Sequence, residues 1–163
     1  MSYVLADEFI AALAMTQLHK PSLIDLDLSL NKISSKGCIA IAEMLSKNQW
    51  LETFILSYNQ IGDEGAMSIA NALKTNSTLK ILDLTKNNIG NEGAKAIANA
   101  LMTNSTLKKL HLCENNIGDE GAIAIANALM TNSTLKKLNF NTCGIRAVGA
   151  AALADMLYYN TEL

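Results

Sequence analysis

Residues 79–106 read LKILDLTKNNIGNEGAKAIANALMTNST, and residues 107–134 read LKKLHLCENNIGDEGAIAIANALMTNST. These two segments of 28 residues lie back to back and differ at six positions. Working outward from them, Leu23, Leu51, Leu79, Leu107, Leu135 and Leu163 stand 28 apart, so five copies run in phase without an insertion. Counting each of these leucines as offset 0, offset 3 holds Leu26, Phe54, Leu82, Leu110 and Leu138. Offset 5 holds Leu28, Leu56, Leu84, Leu112 and Phe140, and offset 10 holds an Ile in every copy. Self-similarity at such a period is the mark of a solenoid, in which each unit buries its apolar face against the next.

Each unit divides into a strand and a helix. Offsets 3 and 5 alternate with period two, which predicts a short strand with one buried face. Residues such as Ile69, Ala70 and Leu73 then fall on one side of a helix. Ser35, Asp63, Asn91 and Asp119 at offset 12 are the expected N-caps, and Ala147 in the fifth copy cannot serve. Parallel strands joined through helices cross over right-handedly. Strands sit about 4.8 Å apart and helices about 10 Å apart, so the stack curves with the strands inside. Asn31, Asn59, Asn87 and Asn115 at offset 8 predict an inward ladder of side chains satisfying loop backbone, with Cys143 in the last place.

These motifs resemble the leucine-rich repeat family, and within it the ribonuclease-inhibitor-like subclass. The likeness covers Leu23 to Leu163. It implies an α/β, right-handed leucine-rich repeat solenoid (a horseshoe) with parallel strands on the concave face and helices on the convex face. It also implies protein binding. Members include a nuclease inhibitor, the sensing tails of immune receptors, an activator of the Ran GTPase and bacterial effectors.

A single domain over 1–163 follows from the length. An amphipathic helix within 1–22, from about Ala6 to His19, is expected to cap the first of five repeats over 23–162, and Leu163 to begin a truncated sixth. The final coil, if uncovered, invites an end-to-end homodimer. The net charge of −2 gives no basic surface for nucleic acid, and no apolar run is long enough to cross a membrane. No secretory signal is read at the N-terminus, and three irregularly spaced cysteines suit free thiols. The expected location is cytoplasmic, with delivery into a host cell by a secretion system as the alternative.

No catalytic constellation emerges, and no metal site or cofactor is expected. Asn76-Ser77-Thr78 and its copies at Asn104 and Asn132 match the glycosylation pattern, but recur with the repeat and read as turns. The informative positions are those beside the buried strand residues. Four of the six differences between the third and fourth copies are Ile81/Lys109, Asp83/His111, Thr85/Cys113 and Lys86/Glu114, all expected on the concave face or its rim. Asp25 and Asp27 make one end acidic, and Lys109, His111 and Lys137 make the other basic, with Glu114 partly offsetting them. Ile55, Tyr58 and Ile81 form an apolar centre. Asp25, Asp27, Ile55, Tyr58, Ile81, Asp83, Lys86, Lys109, His111, Glu114 and Lys137 are therefore the expected contacts for a protein partner. Five strands span only about 19 Å, so a partner must also touch the loops or bind weakly, or the native array is longer or oligomeric. The reading is a non-enzymatic interaction module, with an effector in a host cell as one version. The alternatives are a GTPase regulator resembling the Ran activator, or the sensing or autoinhibitory fragment of a larger receptor-like protein.

Overall fold

The structure is a computed structural model describing residues 7, 11, 12, 16 and 22–163. Five three-residue strands alternate with five helices: β1 (Asp25–Asp27), α1 (Ser35–Lys47), β2 (Thr53–Ile55), α2 (Gly62–Leu73), β3 (Ile81–Asp83), α3 (Asn91–Leu101), β4 (Lys109–His111), α4 (Gly118–Leu129), β5 (Lys137–Asn139) and α5 (Ala147–Tyr159). The strands form one parallel sheet in sequence order, and each residue pairs with the one 28 positions on. The result is the expected right-handed repeat solenoid. The expected capping helix over 6–19 lies outside the described residues, apart from Asp7, Ala11, Ala12 and Thr16.

The core is aliphatic. Offset-3, offset-5 and offset-10 side chains such as Phe54, Leu82, Leu84 and Ile89 are fully buried. They meet Ile69, Leu73, Ile97 and Leu101 from the helices in one cluster. Neighbouring helices lie so close that a Cβ on Gly121 would stand 2.8 Å from the Ala94 methyl carbon, which explains the glycine in every helix.

Two asparagine ladders stitch the coils together. The expected one at offset 8 is present from Asn59 onward, whereas Asn31 in the first coil is exposed and donates to the Ser29 carbonyl of its own turn. Asn59 Oδ1 accepts from the backbone N–H of Asn31 and Ile33, and its Nδ2 donates to the carbonyls of Leu28 and Leu56. Asn115 repeats this pattern on Asn87, Ile89, Leu84 and Leu112. Asn87 differs: its Nδ2 donates to Leu56 and Thr85, while its buried Oδ1 accepts nothing. The second ladder runs along the other edge. Asn76, Asn104, Asn132 and Asn160 donate to the carbonyls of Leu45, Leu73, Leu101 and Leu129 in the preceding helices. These are helix-end carbonyls that otherwise lack partners. Their Oδ1 atoms take N–H groups of the chain entering the next strand.

The helix caps differ from the sequence expectation. Asp63 does not cap its own helix. Its Oδ1 accepts from Gly90 N–H at 2.7 Å and Gly93 N–H at 2.9 Å, which caps α3 in the next repeat. Asp119 does the same for α5 through Arg146 and Gly149, and Asp7 accepts from Ser34 N–H ahead of α1. Ser35, Asn91 and Ala147 are first helical residues rather than caps. Asp7, Asp63 and Asp119 are 56 apart, so the structural period is two repeats.

Backbone dihedrals share this alternation. Lys32, Asn88 and Gly144 at offset 9 have positive φ in the first, third and fifth repeats. Gly62 and Gly118 at offset 11 have it in the second and fourth. Gly90 and Arg146 occupy offset 11 with φ of −97° and −110°, so arginine replaces glycine there without a left-handed backbone.

Candidate functional site

Because offset 3 points into the core, offsets 2 and 4 point out of the concave face. All eleven residues expected there belong to the exposed or half-buried surface of the sheet and its rim. The parallel register places Asp25 beside Thr53 and Asp27 beside Ile55 at one end, and Lys109 beside Lys137 at the other. Thr53 and Ile81 pair in the middle, as do Ile55 and Asp83. The apolar centre thus lies between an acidic strand and two basic ones.

The two ends differ in availability. Asp27 is engaged locally: the Ser29 hydroxyl and backbone N–H hold its carboxyl below the ordinary carboxylate range. Lys109 and Lys137 are both exposed, and neither is in an ion pair among the described residues. Like charges side by side on adjacent strands destabilise a sheet. A carboxylate from outside would relieve that repulsion.

Offset 7 forms a ridge where the strands leave the sheet. Its residues are Leu30, Tyr58, Lys86, Glu114 and Thr142, and all five have φ between 53° and 61°. The left-handed region costs a side-chain-bearing residue about 1–2 kcal/mol, and Gly or Asn relieves that cost. No residue of this ridge is Gly or Asn. The side chains kept at that cost are connected: Lys86 Nζ lies 4.9 Å above the Tyr58 ring and 3.5 Å from Glu114. A shallow pocket of about 390 Å³ opens between Leu30, Lys32, Tyr58, Gln60, Lys86 and Asn88. Leu30 is 75% exposed at its mouth. Leu30 falls at an expected rim offset but outside the eleven expected contacts. The available signal is an apolar side chain at an offset otherwise filled by Tyr, Lys, Glu and Thr.

The other candidates resolve simply. Asn76, Asn104 and Asn132 are buried, and their amide nitrogens are donors in the second ladder, so these nitrogens are not presented for glycosylation. The cysteines are free thiols: Cys38 and Cys143 are buried and Cys113 is half-buried. Burial, with Asp7 adding to it, pushes the Cys38 thiol up to about 12. Asp63, Asp119 and Glu120 border a second pocket of about 390 Å³. The two aspartates there are engaged as caps and Glu120 pairs with Lys95. Among the described residues no cluster of His, Cys, Asp and Glu suits a metal ion, and no helix is long and apolar enough to cross a membrane.

A curved array whose buried positions repeat and whose inner face varies is a protein-interaction architecture. The chain belongs to the leucine-rich repeat family: the family's repeat matches at residues 19–42, 47–70, 75–98, 103–126 and 131–154. Among solved structures it is similar to that of the leiomodin-1 actin-binding site 2, with 26% identity and a TM-score of 0.77. That match covers 94% of this chain and 88% of the other. It also shares its fold with a tropomodulin C-terminal domain from Caenorhabditis elegans, with 14% identity and a TM-score of 0.75. There the coverage is 96% of this chain and 93% of the other. No curated protein matches the sequence.

Proposed function

We propose that this protein binds a partner protein through its concave face and the offset-7 ridge, and that monomeric actin is the partner to test first. The observation that carries the reading is the ridge itself. Five consecutive turns hold ordinary side chains in a left-handed backbone, where Gly or Asn would serve the fold better. Leu30 and Tyr58 supply an apolar anchor, and Lys109 and Lys137 supply exposed positive charge for a carboxylate. The ridge enlarges a strip that is too small alone for a standard interface. The choice of actin is supported by the likeness to the leiomodin-1 actin-binding site 2, at 26% identity over nearly the whole chain.

The ribonuclease-inhibitor-like subclass is favoured by the period of 28 and by helices of 11 to 13 residues. An effector delivered into a host cell would meet actin there. The GTPase-regulator and larger-sensor readings gain no support from the fold.

The test is binding of labelled monomeric actin by the wild type and by the Tyr58→Ala/Lys109→Glu/Lys137→Glu variant, both checked for folding by circular dichroism. The wild type is expected to bind and the variant to lose about tenfold or more in affinity. Equal binding by both would move the site off this face, and no binding by the wild type would remove actin.

A further inference from the structure

One row of side chains crosses the whole concave face. At offset 2 the parallel register sets Asp25, Thr53, Ile81, Lys109 and Lys137 side by side on successive strands. The row is acidic at β1, apolar at β3 and basic at β4 and β5. Ile81 and its diagonal neighbour Ile55 are half-buried, whereas Asp25, Lys109 and Lys137 are exposed. Asp83, the one carboxylate near the centre, accepts the N–H of Thr85 at 2.8 Å. The face is thus apolar in the middle and charged at its ends.

The backbone limits what can lie there. β2, β3 and β4 are each paired with a strand on both sides, so a segment crossing the face finds side chains but no ladder to join. An extended segment would press its own N–H and C=O groups unpaired against the apolar centre, which is costly. A helix brings those groups already paired. A three-residue strand is about 10 Å long, close to the width of a helix.

We infer that the concave face receives an α-helix of the partner, laid across the strands, with carboxylates over Lys109 and Lys137 and apolar residues over Ile81 and Ile55. The inference rests on the concave-face reading and names the element that this face takes. The spacing agrees. Successive strands lie about 4.8 Å apart, so the five side chains of the row span about 19 Å. Residues i, i+4, i+7, i+11 and i+14 share one face of a helix and span about 21 Å. Five same-side residues of an extended segment span about 27 Å and fall out of step. The charge order agrees as well. Carboxylates are favoured near the start of a helix and cations near its end. A helix running from β5 toward β1 therefore sets its acidic start over Lys109 and Lys137 and its basic end over Asp25. The ridge forms one wall, with the exposed Leu30 and Tyr58 beside β1 and β2.

The test is fluorescence anisotropy with a labelled peptide of about 18 residues. It carries glutamate at i and i+4, leucine at i+7 and i+11 and lysine at i+14, with alanine and glutamine elsewhere. The wild type is expected to bind it with a dissociation constant of about 10–100 µM, as suits a strip below the standard interface size. Two altered peptides should bind about tenfold or more weakly. One exchanges the leucines with the glutamates, and the other has proline at i+9, on the face turned away. Lys109→Glu/Lys137→Glu should lose the first peptide by a similar factor. It should gain a counterpart with lysine at i and i+4 that the wild type binds weakly, an exchange that misfolding does not produce. Equal binding of the proline peptide would overturn the helix. Equal binding of the leucine-for-glutamate peptide, or a variant with unchanged preference, would overturn its placement. A wild type that ignores the first peptide would overturn the proposal. Monomeric actin is measured beside the peptides. If the charge variant loses actin while the wild type ignores the peptides, the concave-face reading stands and the helix alone fails. If the charge variant keeps its affinity for actin, the concave-face reading itself fails.

Discussion

Repeats three and four show what varies in this molecule and why. They share every residue that builds the core and the second asparagine ladder. Their six differences sort by position. Ile81/Lys109, Asp83/His111, Thr85/Cys113 and Lys86/Glu114 lie on the concave face and its ridge, where the side chain is exposed or half-buried. Asn91/Asp119 belongs to the two-repeat alternation: Asp119 caps the following helix and Asn91 does not. Lys95/Ile123 gives α3 a lysine that pairs with Glu92 on its own helix and with Glu120 on α4, and leaves α4 without a counterpart. Apart from Asn91/Asp119 and the helix position Lys95/Ile123, the frame is held constant, and the face is free to differ. Frame substitutions should cost stability and spare binding, and face substitutions should do the reverse.

The largest effect is expected at the first ladder. Asn115→Ala removes an acceptor for two backbone N–H groups and a donor to two carbonyls, all buried. Buried groups left unpaired cost about 1–3 kcal/mol each, so urea unfolding should show a loss of about 3 kcal/mol or more. Asn87→Ala should cost clearly less, because its Oδ1 holds nothing. Equal losses would contradict the alternation.

The caps come next. Asp119→Ala is expected to lower stability by about 1–2 kcal/mol, whereas Asn91→Ala should stay within about 0.5 kcal/mol in the same assay. The glycines follow. Gly118 has φ of +63°, so Gly118→Ala should cost about 1–2 kcal/mol. Gly90→Ala should cost less than Gly118→Ala, since its backbone is extended, with the remaining cost coming from the Asp63 carboxylate, which stands 3.0 Å from the added Cβ and must shift against its cap bonds.

The smallest stability effect belongs to the ridge. Leu30→Asn should leave stability unchanged or raise it by up to about 1 kcal/mol while weakening binding, the expected exchange at a functional position. The thiols give a test without mutation. Cys38 is buried with its thiol raised to about 12, and Cys143 is raised by burial as well. At pH 8 a thiol reagent should therefore label Cys113 first in the folded protein, and all three cysteines in urea.

Much of this is legible in the sequence because the repeat multiplies every signal. Leucine or phenylalanine stands at offsets 3 and 5 in all five copies, and the period fixes strand and core together. The residues of the concave face are legible as the positions left over once the core is assigned. The caps are not, because Asp63 reaches across to Gly90 and Gly93, 27 and 30 residues away. Such a bond depends on how one coil stacks on the next, and no local pattern encodes it. The second ladder has a visible signal in Asn48, Asn76, Asn104, Asn132 and Asn160. The overlapping Asn-Ser-Thr motif draws attention to the surface chemistry of those residues rather than their burial. Cys143 in the asparagine column also becomes clear: the fifth repeat, like the third, needs only a donor there, and Sγ donates to the Leu112 carbonyl at 2.9 Å.

The most direct test uses the difference between the two repeats. The variant Lys109→Ile/His111→Asp/Cys113→Thr/Glu114→Lys gives repeat four the face of repeat three and leaves the frame untouched. Its affinity for monomeric actin should be measured beside that of the wild type. The expected result is a loss of about tenfold or more, with the unfolding midpoint kept. An affinity equal to that of the wild type would contradict the claim that this face carries recognition.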